Sequence, residues 1–367
     1  MKKCLHVLPM DKLSGAEKMA LIICENLVEY EPIVVCGGVN LQQIFEDRNI
    51  KSYSINFNNK NLSDITKELS NIIKENDIKI IHVHDNKASI NAYATKLINK
   101  LDVKIISHIH SCYPWLTSFN ANKIIDSIMR KKYDLNIACG NQVYDFYLEN
   151  TNYANEDNIK ILSNAIDIDD IEKQNIKNID IYRKYNIPKN KNIIGYVGRL
   201  IELKGLIPFI KEFSNYKEEF KDSVILLVGS GEKESEIKDL IKSLKLEEYF
   251  ILTGNQENVY EIYPIIDVFI LPSLYEGLPM VILEAMSFKI PIVSMNVGSI
   301  KELVKDEKSG YLIEKENYKS FVNRLIELKN NKEHIKLYGE HGFNIIKNNY
   351  DISGYVSKLE KIYNDVI

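Results

Sequence analysis

Residues 267–294 read D-V-F-I-L-P-S-L-Y-E-G-L-P-M-V-I-L-E-A-M-S-F-K-I-P-I-V-S. Two short apolar runs, 267–271 and 291–294, flank a longer apolar stretch that opens on Pro279. Short runs without polar alternation suit strands buried on both faces, as in a parallel sheet. Proline suits the first position of a helix, where its missing N–H costs nothing, so a helix is expected from Pro279 through Met280 to Phe288. Its residues are apolar nearly all round, which predicts a buried helix. Strand, helix and parallel strand form the unit from which α/β sheets are wound. The loop 272–278 then lies at the carboxyl end of a strand, where such sheets bind ligands. The stretch also places two acids in apolar company, Glu276 in the loop and Glu284 in the helix. A buried carboxylate is costly unless something hydrogen-bonds to it, so each needs a partner.

The same alternation runs outward in both directions. Strands are expected at 3–8, 32–36, 50–55, 78–83, 103–109, 134–138 and 159–162, with helical patterns such as 15–29 between them. After a polar stretch at 167–192, containing Pro188, strands are expected at 193–197, 223–228, 249–252, 267–271 and 291–294. The tail beyond about residue 318 is helical and polar in pattern. Two doubly wound α/β domains facing each other across a cleft account for this order. The halves share an architecture without a visible sequence repeat.

Composition narrows the function. The 367 residues suit two domains, and the formal net charge of −4 leaves no basic footprint for nucleic acid. The N-terminal apolar run is interrupted at Asp11 and Lys12, unlike a signal peptide. No apolar run is long enough to cross a bilayer as a helix. The five scattered cysteines form no C-x-x-C pair, which suits free thiols in a reducing cytoplasm.

Glu276 and Glu284 are spaced to contact opposite ends of one ligand roughly 10 Å long, given about 1.5 Å of rise per helical residue. A nucleotide diphosphate sugar has that length. The alternative makes Glu276 a solvated loop residue and Glu284 a cap for a neighbouring strand. Arg199 and Lys204 frame a turn after the strand 193–197, where fixed cations suit a diphosphate. Gly229-Ser230-Gly231 lacks the third glycine of a dinucleotide fingerprint and reads as a tight turn close to a nucleotide. Two H-x-H pairs, His82 with His84 and His108 with His110, end predicted strands. Residues i and i+2 share a face, so each pair could bind a metal, but no further ligand stands at hydrolase spacing. Asp85-Asn86 reads as a helix cap. Asp167-Ile168-Asp169 reads as turn and cap, and no metal is assigned. Lys123, Arg130, Lys131 and Lys132 accompany Ile124, Ile125, Ile128 and Met129. That helix is either a solvated side over a core face or a basic face for anionic lipid.

E-G-L-P-M-V-I-L-E-A-M-S-F-K-I-P-I-V (276–293) resembles the E-x7-E signature of the GT-B glycosyltransferases of family 4. G-Y-V-G-R-L-I-E-L-K-G (195–205) resembles the family's G-R-x4-K-G phosphate clamp. L-L-V-G-S-G-E (226–232) and L-T-G-N-Q-E-N-V (252–259) are similar to its next two strand ends. I-L-S-N-A-I-D (161–167) resembles its N-G-I-D segment with Ala165 for Gly, and L-S-G-A-E-K (13–18) its first loop with Ser14 for Gly.

The resemblance implies the GT-B fold, with an acceptor-side domain at 1–163 and a nucleotide-sugar domain at 164–345. A C-terminal helix, 346–367, would pack back on the first domain. It implies metal-independent, retaining transfer of a sugar, with no cofactor beyond the donor. A UDP-sugar is the favoured donor and a GDP-sugar the other candidate. The acceptor would be a glycan or a lipid-linked glycan in bacterial surface polysaccharide assembly. Arg199 and Lys204 would hold the diphosphate, and Glu284 the ribose. Glu276, with the backbone of Gly277 and Leu278, would hold the sugar. Gly254 and Asn255 would lie by the base, with Gly15, Gly198 and Gly229 allowing close backbone approach. His110, with His108 as the fallback, would orient or polarise the sugar or phosphate. The setting would be cytoplasmic, with peripheral contact at the inner face of the membrane still to be tested. A nucleotide-sugar epimerase of the same fold and a non-catalytic partner subunit are the rival readings. Oligomeric state is not legible.

Overall fold

The computed structural model describes residues 1–155, 157–174, 179–256 and 258–367. The chain forms two compact units, Met1–Ile166 with Ile352–Ile367, and Asp167–Asp351. Part of the polar stretch 167–192, residues 175–178, lies outside the described residues, as does Glu257 of the 252–259 motif.

The first unit holds seven parallel strands: β1 (Lys2–Leu8), β2 (Tyr30–Cys36), β3 (Lys51–Ser54), β4 (Ile80–Val83), β5 (Lys104–Ile109), β6 (Leu135–Ala138) and β7 (Ile159–Ile161). Their order is β3-β2-β1-β4-β5-β6-β7. The winding direction therefore reverses between β1 and β4, the kind of point where open α/β sheets bind ligands. Leu5, Val7, Ile33, Val35, Ile81, Val83 and Ile105 are all buried in one apolar cluster. Near-continuous aliphatic strands let the sheet be covered on both sides.

The second unit holds six parallel strands: β8 (Asn192–Val197), β9 (Ser223–Val228), β10 (Phe250–Gly254), β11 (Val268–Leu271), β12 (Ile292–Met295) and β13 (Gly310–Ile313). Their order is β10-β9-β8-β11-β12-β13, reversing between β8 and β11. β13 was not expected from the sequence. It is four residues long, begins on a glycine at φ +155° and sits at the sheet edge beside β12. So short a run opening on glycine carries little strand signal.

The unit boundaries fall later than the motif spacing placed them. Ala165 N–H donates to Met19 Sδ at 3.4 Å, and Ile352 N–H donates to the Ile166 carbonyl at 3.0 Å, so 164–166 stay with the first unit. Helix Lys332–Asn349 runs past residue 345 within the second unit. Its Gly339 and Gly342 lie against Lys289 and Met286, at the end of helix Met280–Ser287. Helix Ile352–Val366 belongs to the first unit, where Glu360 Oε1 accepts from the N–H groups of Val28 and Glu29 at 2.7 and 2.6 Å. No described helix is long and apolar enough to cross a membrane.

Candidate functional site

The winding reversal in the second unit sets the loop after β8 beside the loop after β11. The turn Glu202–Lys204 ends on Gly205, at φ +65°. A Cβ on Gly205 would stand 2.1 Å from the Pro272 carbonyl oxygen, so only glycine permits both this backbone and this approach. Leu274 N–H donates to the Leu203 carbonyl at 2.8 Å, which ties the same two loops again. From the other side, Ser299 N–H donates to the Gly277 carbonyl at 2.7 Å. Gly298, at φ +57°, packs where a Cβ would lie 2.2 Å from the Glu276 carbonyl oxygen. These fixed loops bring Lys204 Nζ to 2.5 Å from Glu276 Oε1, in a largely buried ion pair. The sequence had assigned the two residues to different parts of a ligand. In the structure they hold each other.

Arg199 is exposed just past β8 and has no ion-pair partner among the described residues. Its carbonyl is pinned by the Tyr196 hydroxyl at 2.8 Å. The ends of β8, β9 and β10 are laced together: Gly198 N–H donates to the Val228 carbonyl, and Gly229 N–H to the Gly254 carbonyl, both at 2.9 Å. A Cβ on Gly229, at φ +133°, would meet the Gly198 carbonyl oxygen at 2.0 Å. Gly229 thus accommodates the Gly198 backbone, whereas a Cβ on Gly198, at φ +157°, would meet the Tyr196 hydroxyl at 2.8 Å. Gly254 is different. It has φ +70° and open space where a Cβ would go, with Asn255 exposed beside it.

Helix Met280–Ser287 begins one residue later than expected, with Pro279 as its extended cap. A capping proline also lacks a donor to satisfy, so either position is tolerated. The helix N-terminus opens beside Gly277 and Leu278 and favours negative charge there. Glu284 is 1% exposed, and its Oε2 accepts from the Tyr263 hydroxyl at 2.6 Å. The Tyr263 ring stacks on Phe288 at 5.3 Å between centroids. Burial and the adjacent Glu284 push the Tyr263 phenol well above its ordinary pKa, so it remains a donor. Tyr263 was not foreseen, because a tyrosine in I-Y-P-I-I reads as core until the sheet order places it against the helix. Asp167 caps its turn, with Oδ1 accepting from Asp170 N–H at 2.9 Å.

In the first unit, Gly15 opens helix Gly15–Asn26, with nothing within 4 Å of where its Cβ would be. The neighbouring Ser14 hydroxyl donates to the buried Glu17 carboxyl. Burial raises the Glu17 pKa against the lowering effect of that hydrogen bond. His110 follows β5, half-buried, with its ring stacked on His108 at 4.1 Å. Burial pushes its pKa down to about 3, so it is a neutral imidazole at physiological pH. Asp85 caps helix Asn86–Ile98 by accepting from Lys87 N–H at 2.6 Å.

One expectation is overturned. Arg130 is no part of a basic surface: it is 2% exposed, and its Nε donates to Asp126 Oδ1 at 2.7 Å. Its Nη1 reaches Ser107 and Asn136, both at 3.1 Å, and its Nη2 reaches Asn86. These buried acceptors draw the guanidinium inward, leaving Ile124, Ile125 and Ile128 as the exposed side of helix Ala121–Arg130.

A family model described as Glycosyl transferases group 1 matches residues 178–345, and one described as Glycosyltransferase Family 4 matches residues 13–170. An Escherichia coli UDP-Gal:alpha-D-GlcNAc-diphosphoundecaprenol alpha-1,3-galactosyltransferase is 25% identical over 395 residues, covering 100% of this chain and 97% of that protein. The capsular polysaccharide biosynthesis glycosyltransferase CapM of Staphylococcus aureus is 27% identical over 227 residues, covering 58% of this chain and 57% of that one. The crystal structure of Anabaena Alr3699/HepE in complex with UDP-glucose superposes with a TM-score of 0.85 at 18% identity, over 100% of both chains. The two family models adjoin along most of the chain, the two wound parallel sheets match the architecture of these enzymes, and the chain belongs to the family 4 glycosyltransferases of the GT-B fold.

Proposed function

We propose that the protein transfers a sugar, with retention of configuration and without a metal ion, from a UDP-sugar to a lipid-linked or glycan acceptor in bacterial surface polysaccharide assembly. The observation that carries this reading is the Lys204–Glu276 pair at the winding reversal, beside the exposed Arg199 and the N-terminus of helix Met280–Ser287. A donor diphosphate arriving there draws Lys204 toward its charge. Glu276 is then released to accept from the sugar hydroxyls. Arg199 and Lys204 stabilise the charge that grows on the departing UDP. Glu284, held by Tyr263, takes the ribose, and the open side of Gly254 and Asn255 takes the base. Gly15 and His110 are the first unit's contributions, with His110 polarising the transferred sugar as a neutral donor. The UDP-containing complexes of the Anabaena structures and the lipid-linked acceptor in the Escherichia coli relative's name support the choice of donor and acceptor classes. Exposed Phe119, Ile124, Ile125 and Ile128 beside Lys123, Lys131 and Lys132 support peripheral contact with anionic lipid.

The test is a panel of UDP-, GDP- and ADP-sugars, scored by thermal stabilisation and slow donor hydrolysis in EDTA. A UDP-sugar should raise Tm, and Lys204→Met should cut turnover by about 10²–10³-fold, the usual loss on removing one oxyanion donor. Activity abolished by EDTA and restored by Mg²⁺ or Mn²⁺ would refute the cationic clamp. Release of an epimerised donor without acceptor would mark an epimerase. Flotation with anionic vesicles tests the lipid contact: wild type should float and Lys131→Glu/Lys132→Glu should not, whereas equal partitioning removes it.

A further inference from the structure

Five of the seven histidines converge in the first unit, although the sequence shows only two separate pairs and a lone His6. The sheet order β1-β4-β5 makes the difference, with His6 directly opposite His82 across the β1–β4 ladder. Ring centroids lie 4.4 Å apart for His82 and His84, 5.6 Å for His84 and His108, and 4.1 Å for His108 and His110. Neither nitrogen of the buried His108 has a hydrogen-bond partner among the described residues, although the ring is 1% exposed. Leaving such groups unsatisfied carries the full cost of their desolvation, so a partner is to be expected.

We propose that His84, His108 and His110 bind one divalent ion of the imidazole-preferring class, Zn²⁺ above all, at the carboxyl ends of β4 and β5. One nitrogen from each lies within 4.8 Å of the others. His84 Nδ1 and His110 Nε2 are 3.1 Å apart, close to the separation of about 3.3 Å between ligands of a tetrahedral ion with bonds of about 2.0–2.1 Å. Ligating histidine must be neutral, and His84 and His108 are buried from the water that would stabilise a charged ring. A set of imidazoles without carboxylates excludes Mg²⁺ and Ca²⁺, which demand oxygen.

The ring behind His84 is arranged as a support for a ligand. His84 Nε2 lies 3.0 Å from His6 Nδ1, His6 Nε2 lies 3.3 Å from the Tyr363 hydroxyl, and that hydroxyl lies 2.7 Å from His82 Nδ1. If His84 Nε2–H donates into this chain, its Nδ1 lone pair is directed to the ion, the usual way a second shell fixes a tautomer. The alternative triad, His6 with His82 and His84, is the weaker choice, because Tyr363 already satisfies a nitrogen on each of His6 and His82. Half-buried His110 gives an ion its route from solvent.

The test uses untagged full-length protein, stripped with EDTA and titrated with Zn²⁺ by calorimetry. One equivalent should bind with sub-micromolar affinity. His84→Gln and His108→Gln should each weaken it by at least 100-fold, and His6→Gln by about 10–100-fold. X-ray absorption of the wild-type zinc protein needs no variant to fold, and should show three imidazoles at about 2.0–2.1 Å. Absence of binding, thiolate ligation or full affinity in both ligand variants would overturn the site. Inhibition of transfer by Zn²⁺ is a separate readout that rests on the role proposed for His110. Binding without inhibition would leave the site standing and remove that role.

Discussion

Single side chains decide how the acids of this protein are held. Glu284 is stable in an apolar helix because Tyr263 donates to it, and Tyr263→Phe removes that bond without opening a large cavity. The variant should lose about 1.5–3 kcal/mol in urea unfolding, the range for a hydrogen bond to a charged group. Its KM for the donor should also rise, with a smaller change in kcat, if Glu284 holds the ribose as proposed. Unchanged stability and KM would separate Tyr263 from the site. Glu17 makes a pH-dependent case. Its folded pKa is raised by burial, so wild-type stability is fullest below the unfolded value and declines as pH rises through the folded one. Glu17→Gln has no proton to lose. Relative to wild type it should gain stability as pH rises above the ordinary carboxyl range, and urea curves showing the opposite trend would refute the assignment. Neither feature was legible in advance. Tyr263 has no motif, and the Ser14–Glu17 bond lies where the sequence showed only a departure from a glycine pattern. Arg130 was misread for a related reason: K/R runs on helices usually face water, and only the fold reveals acceptors on the inner side.

At the level of elements, strands were the most legible part of the chain. Parallel strands covered on both faces are apolar, and the central strands carry that mark, whereas the edge strands β3 (K-S-Y-S) and β7 (I-K-I) are mixed. What no strand carries is its neighbour. The Lys204–Glu276 contact spans 72 positions and exists because β8 and β11 are adjacent at the winding reversal. The histidine cluster is hidden in the same way, since it needs β1, β4 and β5 side by side. The connection between the β8 and β11 loops can be tested through glycines. Gly205→Ala forces a left-handed residue and drives a Cβ toward the Pro272 carbonyl oxygen. It should cost more than the ~1–2 kcal/mol of the left-handed conformation alone and should abolish turnover. Gly254→Ala has the same sign of φ but open space around it, so it should cost about 1–2 kcal/mol only. Equal losses in the two, measured by denaturation, would mean that the loop contact contributes nothing.

For the whole molecule, the two units differ in how the chain builds them. The second is a single continuous stretch, Asp167–Asp351, whereas the first is completed by Ile352–Ile367. Helix Ile352–Val366 supplies Glu360 to the backbone of Val28 and Glu29, and Tyr363 to the histidine chain. Deleting residues 352–367 should therefore lower the melting of the first unit selectively. Calorimetry should show one early and one unchanged transition, and donor-induced stabilisation should persist if the second unit alone holds the nucleotide. A uniform shift of both would argue against this division of labour.

That return of the chain also sets a timetable for synthesis. Lys2 and Tyr30 at the start of the sheet both bond Asn364 near the other end, through Lys2 Nζ and the Tyr30 hydroxyl at 2.7 and 2.8 Å. Residues 1–351 contain the whole of the later unit, while the earlier one still lacks its closing helix. Folding during translation is ordinarily N-terminal first. Here the half made first cannot be completed until residues 352–367 have been added, so its folding should not finish ahead of the later unit.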